Sequence, residues 1–218
     1  MPRIEPFEEY SDAYDAWFDE HDDLYQAELA AMRQLIPPQG AIGLEVGIGS
    51  GKFAVPLGIK TGVEPSKQMA AKARAHGLDI YDGVAENLPF PNDRFDLVLM
   101  VTTVCFVDDI QASLAEAFRV LKPGGCIILG FVDKEGDLGR RYEAEKNKSR
   151  FYKHATFFSS KELLDDLEEA GFEIVSIRQT LVPGAPTDTV LPGFGVGAFV
   201  VIKGLRSTQT GSLHDTGL

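Results

Sequence analysis

The chain has 218 residues, of which 44% are hydrophobic and 25% are charged, and its formal net charge is −12. This length fits one domain, alone or with a lid, and this balance is typical of a globular protein rather than a disordered or collagen-like chain. The acidic charge argues against nucleic acids and anionic membrane surfaces as partners, because both bind basic surfaces. No segment of the sequence approaches the roughly 20 apolar residues of a membrane span.

The N-terminal segment and the cysteines are informative about the cellular compartment. The first residues contain no apolar run typical of a secretory signal, so we expect a cytoplasmic protein. In that reducing compartment Cys105 and Cys126 are expected to form no structural disulfide. The two cysteines and the four histidines show no zinc-ligand spacing, so the sequence predicts no metal site. It leaves the oligomeric state open.

Residues 10–36 predict one helix, which ends at Pro37-Pro38 because proline does not continue a helix. Five ring-bearing side chains share one face of this helix, at i, i+3, i+4, i+7 and i+11, and they are Tyr14, Trp17, Phe18, His21 and Tyr25. The aspartates of the segment lie largely off that face. The ring-bearing face either packs on the core or forms part of a lid over a ligand site, with residues 1–38 as the lid.

From residue 41 the chain alternates between short apolar runs and helical stripes. This alternation predicts an α/β fold, in which a doubly wound, mainly parallel sheet lies between two helical layers. Ser66 is predicted to cap a helix that ends at Gly77, and Ser159 with Glu162 forms a predicted capping box. Seven strands are predicted, at residues 41–46, 59–64, 78–82, 94–104, 126–132, 172–181 and 196–204.

The C-terminal part of the chain departs from strict alternation in three places. A Pro- and Gly-rich connection without a helical stripe joins the last two predicted strands, so the last strand is expected to be antiparallel. A charged segment at residues 134–158 interrupts the pattern and is predicted to be an inserted lid segment. The main domain is therefore expected to span residues 39–204, and the polar residues 205–218 are predicted to be disordered.

A glycine cluster follows the first predicted strand, where ligands bind at the carboxyl edge of a doubly wound sheet. Gly47, Gly49 and Gly51 form a G-x-G-x-G pattern. Lys52 stands where a dinucleotide fingerprint requires glycine or alanine, and the spacing is not that of a phosphate-binding P-loop. Glu45 lies two residues before the first glycine, and its charge suits a cationic ligand better than a pyrophosphate.

Glu64 ends the second predicted strand, at a distance from the glycines that fits an acid binding both ribose hydroxyls of a nucleoside. These features resemble the class I S-adenosylmethionine-dependent methyltransferases, and most of all the small-molecule branch that includes the ubiquinone and menaquinone methyltransferases. The resemblance covers residues 41–133 in four blocks, LEVGIGSG, GVEPSKQMAAKA, GVAENLPFPNDRFDLVLMVTTV and EAFRVLKPGGCIILG. It implies a Rossmann-like methyltransferase fold and S-adenosyl-L-methionine as the cofactor.

The resemblance also implies roles for residues at matching positions. The methionine part of the cofactor would meet the acid and glycines of the first block, the ribose and adenine would meet the second and third blocks, and Thr102 would lie by the sulfonium. The implied residues of the three blocks are Glu45, Gly47, Gly49 and Gly51, then Glu64, Pro65, Ser66 and Met69, then Ala85, Glu86 and Leu88. Many relatives have aspartate where Val84 stands, so the contact to the adenine amino group falls either to Glu86 or to a backbone carbonyl.

The acceptor is less defined by the sequence. If the N-terminal helix is a lid, Tyr14 and Trp17 would lie nearest the methionine end of the cofactor. Residues 134–154 carry seven basic and four acidic side chains, a balance of +3, which favours either an anionic acceptor or a solvated helix that pairs with the acidic N-terminal segment. The predicted acceptor-binding residues are Cys105, Phe106, Tyr25 and Arg140.

The predicted activity is transfer of a methyl group to a small molecule by in-line displacement. The methyl of a sulfonium is already activated, so such an enzyme needs mainly to orient the nucleophile and exclude water. The sequence shows no convincing catalytic dyad, and it leaves the catalytic residues open. Protein or tRNA methylation is one alternative, and a non-catalytic regulator that binds S-adenosylmethionine is another.

Overall fold

A single eight-stranded sheet organises the protein, whose computed structural model describes residues 4–38 and 40–208. The strands lie in the order β3-β2-β1-β4-β5-β8-β6-β7. They are β1 (Gly43–Val46), β2 (Thr61–Val63), β3 (Asp79–Tyr81), β4 (Phe95–Val101), β5 (Leu121–Val132), β6 (Phe172–Thr180), β7 (Leu191–Pro192) and β8 (Phe199–Arg206).

The pairing of these strands confirms the predicted Rossmann-like sheet. Strands β1 to β5 pair in parallel, and β8 runs antiparallel between β5 and β6. The eighth strand, β7, is an addition of two residues that pairs with the end of β6 inside the Pro- and Gly-rich connection. The prediction of seven strands missed it because two residues carry no alternation pattern.

Helices cover both faces of the sheet and make the predicted three layers. They are α1 (Glu5–Glu9), α2 (Ser11–Glu20), α3 (Asp22–Arg33), α4 (Ala54–Leu57), α5 (Lys67–Ala75), α6 (Ile110–Val120), α7 (Asp137–Glu145) and α8 (Ser160–Glu169). One core joins α6 and α8 to the sheet, and the other joins α3 and α5 to its opposite face. The buried strand β4 serves both cores, because alternate side chains point to opposite faces. Val98 lies in one core and Leu99 in the other.

Caps at the helix ends follow the sequence closely. The Ser66 hydroxyl accepts a hydrogen bond from the Met69 backbone N–H at 3.3 Å, as predicted for the start of α5. Ser159 and Glu162 form the predicted capping box of α8. Asp109 caps α6 in the same way. These local hydrogen bonds satisfy backbone donors that the helix itself leaves unpaired.

The prediction of one helix over residues 10–36 is wrong, because the segment forms α2 and α3 with a break at His21. The backbone of His21 has φ −125° and ψ 43°, and its N–H donates to the carbonyl of Trp17. The break separates a helix that packs against the sheet from helices that lie at its edge. Helix α3 buries Leu29 and Met32 against the sheet, whereas α1 and α2 lie over the carboxyl edge of the strands.

The segment at residues 134–158 forms α7 and two 3₁₀ turns, at residues 146–148 and 152–154. A backbone hydrogen bond from Lys134 to Phe158 at 3.0 Å joins the two ends of the segment, and one from Thr156 to Cys105 at 2.8 Å attaches it to the rest of the domain. At the C-terminus, strand β8 continues through residue 206, two residues beyond the predicted end of the domain. The rest of the predicted tail, residues 209–218, lies outside the described residues. None of the helices described is both long enough and apolar enough to cross a membrane.

Candidate functional site

A cavity of about 180 Å³ lies at the carboxyl ends of β1, β2, β4 and β5. The N-terminal helices and the segment at residues 134–158 form its roof, and they meet through aromatic rings. The Phe7 ring lies 5.7 Å from that of Phe151 and 5.1 Å from that of Phe106, between ring centroids. This is the edge where a doubly wound sheet places its ligand.

The glycine cluster forms the floor of the cavity between β1 and α4. Gly47 and Gly49 line it with φ values of +68° and +58°, in the left-handed region that favours glycine. A Cβ on Gly47 would lie 2.5 Å from the Cγ2 atom of Thr103, so no larger residue fits. Gly51 does not line the cavity. A Cβ on Gly51 would lie 2.5 Å from the Cδ1 atom of Leu78, so this glycine permits packing rather than ligand contact.

Glu64 lines the cavity at the end of β2, and each of its two carboxylate oxygens accepts a hydrogen bond from a backbone N–H. Oε2 accepts from Gly49 and Oε1 accepts from Ser66, each at 2.8 Å. Burial raises the pKa of Glu64 to about 7, although these two hydrogen bonds oppose the rise. Each oxygen of a carboxylate accepts two hydrogen bonds, so one position on each oxygen remains for a ligand hydroxyl.

Glu45 is not among the residues that line the cavity in this structure, and its predicted contact with the ligand stays a prediction. Its side chain is buried, and its Oε2 atom has no hydrogen-bond partner among the described residues. Burial raises the pKa of Glu45 well above its ordinary value, and the charge of Glu64 adds to the effect. An unpartnered buried acceptor costs about 1–3 kcal/mol, which marks Glu45 as a group that lacks its donor in this state.

Four of the residues predicted to hold the adenine and ribose line the cavity together, and they are Pro65, Met69, Ala85 and Glu86. Glu86 also fixes the loop before α6, since its Oε1 atom accepts the backbone N–H groups of Asp108 and Asp109 at 2.7 and 3.2 Å. Ser66 and Leu88 are buried behind the wall. Ser66 caps α5 and Leu88 packs in the core, so their roles in this structure are structural.

Thr102 ends β4 at the cavity with φ +49°, a conformation rare for a β-branched residue. Strain of this kind costs about 1–3 kcal/mol and clusters at functional sites, and the position of Thr102 beside the reacting group stays a prediction. Phe106 lines the same cavity, as predicted. Cys105 instead borders a side cavity of about 10 Å³, with its Sγ 3.2 Å from the Thr102 carbonyl. That volume holds one water at most, so Cys105 does not face the main cavity.

Tyr14 and Trp17 line the cavity from α2, in the position predicted for a lid. The Cε1 atom of Tyr14 lies 3.9 Å from where a Cβ of Gly49 would be, so this ring lies directly over the glycine cluster. Burial raises the pKa of Tyr14, and the charges of Glu45 and Glu64 raise it further. Tyr25 does not line the cavity, because its hydroxyl donates to the Lys52 carbonyl instead.

Ion pairs attach the outer side of α2 to the domain. Lys72 of α5 binds Asp12 at 2.6 Å and Asp15 at 2.8 Å, and Lys52 binds Asp19 at 3.1 Å. The acids of the N-terminal segment thus pair with lysines beside the glycine cluster. One alternative from the sequence pairs them with the basic segment at residues 134–154 instead, and the ion pairs of Asp12, Asp15 and Asp19 do not follow it.

Arg140 lies outside the cavity, which corrects its prediction as an acceptor-binding residue. Its side chain is exposed on α7, where it binds Asp137 and the Glu135 carbonyl. Helix α7 is amphipathic, and it turns Leu138 and Tyr142 toward the cavity and the arginines toward solvent. None of the seven basic side chains of residues 134–154 lines the cavity as described.

An acid and two tyrosines that the sequence did not predict line the half of the cavity away from Glu64. Glu28 of α3 lines this half and is only 6% exposed, and Tyr142 and Tyr152 line it from the inserted segment. The sequence contains a signal for Glu28. This acid lies 14 residues after Tyr14 and so falls on the same helical face as the ring-bearing side chains. An acid on the apolar face of an amphipathic helix is unusual and needs a partner or a function.

The lining fits S-adenosylmethionine, a nucleoside that carries a positive charge. Glu64 keeps acceptor positions for hydroxyls, apolar side chains flank it, and the left-handed glycines let backbone approach a ligand closely. The described wall carries three acids, Glu28, Glu64 and Glu86, and no lysine or arginine. Such a wall attracts a cation and disfavours a phosphate.

Comparison with known proteins agrees with this fit. Residues 44–129 match the family described as "Methyltransferase domain". The chain is 41% identical over 200 residues to an uncharacterized Methanocaldococcus jannaschii protein, covering 90% of this chain and 97% of that one. It is 28% identical over 178 residues to a demethylmenaquinone methyltransferase of Staphylococcus saprophyticus, covering 67% and 76% of the two chains.

A crystal structure from Thermotoga maritima matches most of the fold. That protein is described as an S-adenosylmethionine-dependent methyltransferase and "possible histamine N-methyltransferase". It superposes with a TM-score of 0.89 at 48% identity, covering 94% of this chain and 100% of that one. This identity over the full length of a relative establishes the family. The chain belongs to the S-adenosylmethionine-dependent methyltransferases, and S-adenosylmethionine is its cofactor.

Proposed function

We propose that the enzyme methylates a small molecule inside the roofed cavity. The observation that carries this proposal is the continuity of the cavity, whose wall runs from Glu64 at one end to Glu28 and Tyr142 at the other. The adenosine of the cofactor is proposed to lie at the first end, and the acceptor at the second. A roof of helices α1 and α2 and the inserted segment would have to open for a protein or RNA chain, whereas a small molecule fits beneath it.

The residues on the cavity wall have distinct proposed roles toward the cofactor, which supplies an activated methyl group on its sulfonium when bound. Glu64 accepts the two ribose hydroxyls, and Glu86 accepts the adenine amino group at the position adjoining Ala85. The strained backbone at Thr102 lies at the sulfonium. Glu45 is proposed to receive the methionine ammonium, since its Oε2 atom lacks a donor. This last contact requires Tyr14 and the glycine cluster to move slightly apart.

Helices α1 and α2 are proposed to act as the lid, while α3 belongs to the core. Aromatic contacts hold α1 to the inserted segment, and Lys52 and Lys72 hold α2 to the domain. Cofactor and acceptor must pass this roof to enter, and its closure would exclude water from the reacting atoms. Residues 4–38 are therefore proposed to serve two roles, divided at His21.

A turnover assay tests the proposal. The purified chain is incubated with S-adenosylmethionine and single acceptors, and release of S-adenosylhomocysteine is measured. Similarity to the proteins named above puts histamine and a demethylmenaquinone in the panel, together with carboxylates, a histone mixture and tRNA. We expect turnover with at least one small molecule and none with the macromolecules. Turnover with protein or tRNA alone would contradict the proposal, and cofactor binding without any turnover would favour a regulator.

A further inference from the structure

We propose that Glu28 recognises a basic nitrogen of the acceptor and takes up its proton, so that the enzyme selects amines over neutral or anionic molecules. The inference rests on the proposed function, because it assigns an acceptor class to the half of the cavity away from Glu64. It replaces the expectation of an anionic acceptor, which depended on basic side chains that lie outside the cavity.

The surroundings of Glu28 provide the first argument. The side chain is 94% buried and lines the cavity, and no described residue donates a hydrogen bond to its carboxylate or pairs with it as a cation. A carboxylate among apolar groups is favourable only with a hydrogen-bond donor or a cation, and a ligand in the cavity would supply either. Burial also raises the pKa of Glu28 to about 8, so the group can exchange a proton near neutral pH.

The rings around Glu28 provide the second argument. Tyr14 on α2, Tyr142 on α7 and Tyr152 in the second 3₁₀ turn line the same cavity as Glu28. Burial raises the pKa of each of these phenols, and the charge of Glu28 adds a smaller part. The rings of Tyr142 and Tyr152 are stacked with their centroids 5.2 Å apart. Aromatic faces attract cations, and an acid beside them adds a direct ion pair. An anion would meet repulsion from Glu28 and find no basic partner on the described wall.

The chemistry of methyl transfer gives Glu28 a second use. A protonated amine has no lone pair, so it must lose a proton before it can attack. Transfer of that proton to the Glu28 carboxylate leaves a neutral amine and a carboxylic acid. The nitrogen lone pair then forms the N–C bond while the C–S bond breaks, and its electron pair stays on sulfur as S-adenosylhomocysteine. The product is a methylated ammonium, and Glu28 later returns its proton to solvent.

Binding measurements on the full chain saturated with S-adenosylhomocysteine test this proposal. Three probes of similar shape differ only in their polar group, and they are phenethylamine, phenethyl alcohol and hydrocinnamate. Trp17 is the only tryptophan and lines the cavity, so its fluorescence reports binding. We expect the amine to bind at least about tenfold more tightly than the other two, as one charge-assisted hydrogen bond would give.

The variant Glu28→Gln keeps the shape of the side chain and removes its charge. It should abolish the preference for the amine and leave affinity for S-adenosylhomocysteine unchanged, and Glu28→Asp should restore part of the preference. Glu143→Gln makes the same chemical change on the exposed side of α7 and should behave as the parent.

Three results would overturn the inference. They are equal affinity for the amine and the alcohol, an unchanged preference in Glu28→Gln, and weaker S-adenosylhomocysteine binding in that variant, which would place Glu28 in the cofactor site. The proposed function has a separate test, because turnover of neutral or anionic small molecules would sustain it while the role of Glu28 failed.

Discussion

Replacing Glu64 with alanine tests the cofactor site most directly. Each oxygen of this carboxylate holds one backbone N–H at 2.8 Å and keeps one acceptor position for a ribose hydroxyl. A hydrogen bond to a charged group contributes about 1.5–3 kcal/mol, so losing two should cost about 3–6 kcal/mol. Water filling the space would recover part of this, and we expect the affinity for S-adenosylhomocysteine to fall by at least about tenfold and by up to about a thousandfold.

The pH dependence of binding gives Glu64 a second signature. Its pKa in the unliganded protein is raised to about 7, mainly by burial, with Glu8 adding to the rise and the Gly49 and Ser66 amides opposing it. The ribose hydroxyls donate to the charged form. Affinity in the parent should therefore increase as pH rises toward 7 and level off above it, and this dependence should be absent in Glu64→Ala.

Isothermal titration with S-adenosylhomocysteine between pH 5.5 and 8.5, approximately the range that brackets this titration, measures both effects. Glu173→Ala removes an exposed glutamate of β6 and serves as the matched control. Thermal unfolding checks that each variant is folded. At pH 8.5 the Glu64 carboxyl of the parent is mostly charged, because this pH lies more than about one unit above its pKa of about 7. A folded Glu64→Ala protein that binds with the parent's affinity at this pH would refute the reasoning.

Three further predictions concern the roof, the buried acid and the glycine cluster. Lys72→Met removes both ion pairs to α2. Asp12 is exposed, so the pair with the partly buried Asp15 carries most of the effect, and hydrogen exchange in residues 11–20 should quicken several-fold at most. Unchanged exchange would argue against a lid held by charge. For Glu28, a folded pKa of about 8 above an ordinary 4.5 means that its stabilising contribution is complete below pH 4.5 and is lost as pH rises through 8. Glu28→Gln should therefore have a higher melting temperature than the parent at pH 8.5. The gain in the free energy of unfolding is at most about 5 kcal/mol, because each pH unit between the ordinary and the folded pKa contributes about 1.4 kcal/mol. An equal or lower melting temperature would contradict this. Gly47→Ala would place a Cβ at φ +68° and 2.5 Å from the Cγ2 atom of Thr103. The variant should therefore lose about 1–3 kcal/mol of stability and bind the cofactor more weakly. Wild-type behaviour in denaturant titration and calorimetry would show that the turn tolerates a side chain.

The fold could be predicted from the sequence because its signals are local. Each strand of the parallel sheet contains a short apolar run. Caps such as Ser66 and Ser159 mark the helix starts through hydrogen bonds to residues only three positions along the chain. The cofactor end of the cavity could be predicted for the same reason. Gly47, Gly49 and Glu64 follow directly on strands β1 and β2, and adjacent parallel strands bring their carboxyl ends together.

What the sequence could not determine depended on long-range packing. The break at His21 has no proline or glycine to announce it, and it forms because α3 packs on the sheet while α2 packs over its edge. Charge counting failed for the segment at residues 134–154 because a net charge does not say which face of α7 turns inward. Arg140 faces solvent, and Tyr142 faces the cavity.

The sequence by itself therefore determined the sheet, the cofactor and the residues that follow β1 and β2, because these depend on neighbours along the chain. Only the tertiary structure decided what the far half of the cavity contains. Glu28 and Tyr142 are more than a hundred residues apart, and they share a wall because two separate segments fold over the same sheet edge. Side chains that meet in this way leave no spacing pattern, since packing in three dimensions, rather than local hydrogen bonding, brings them together.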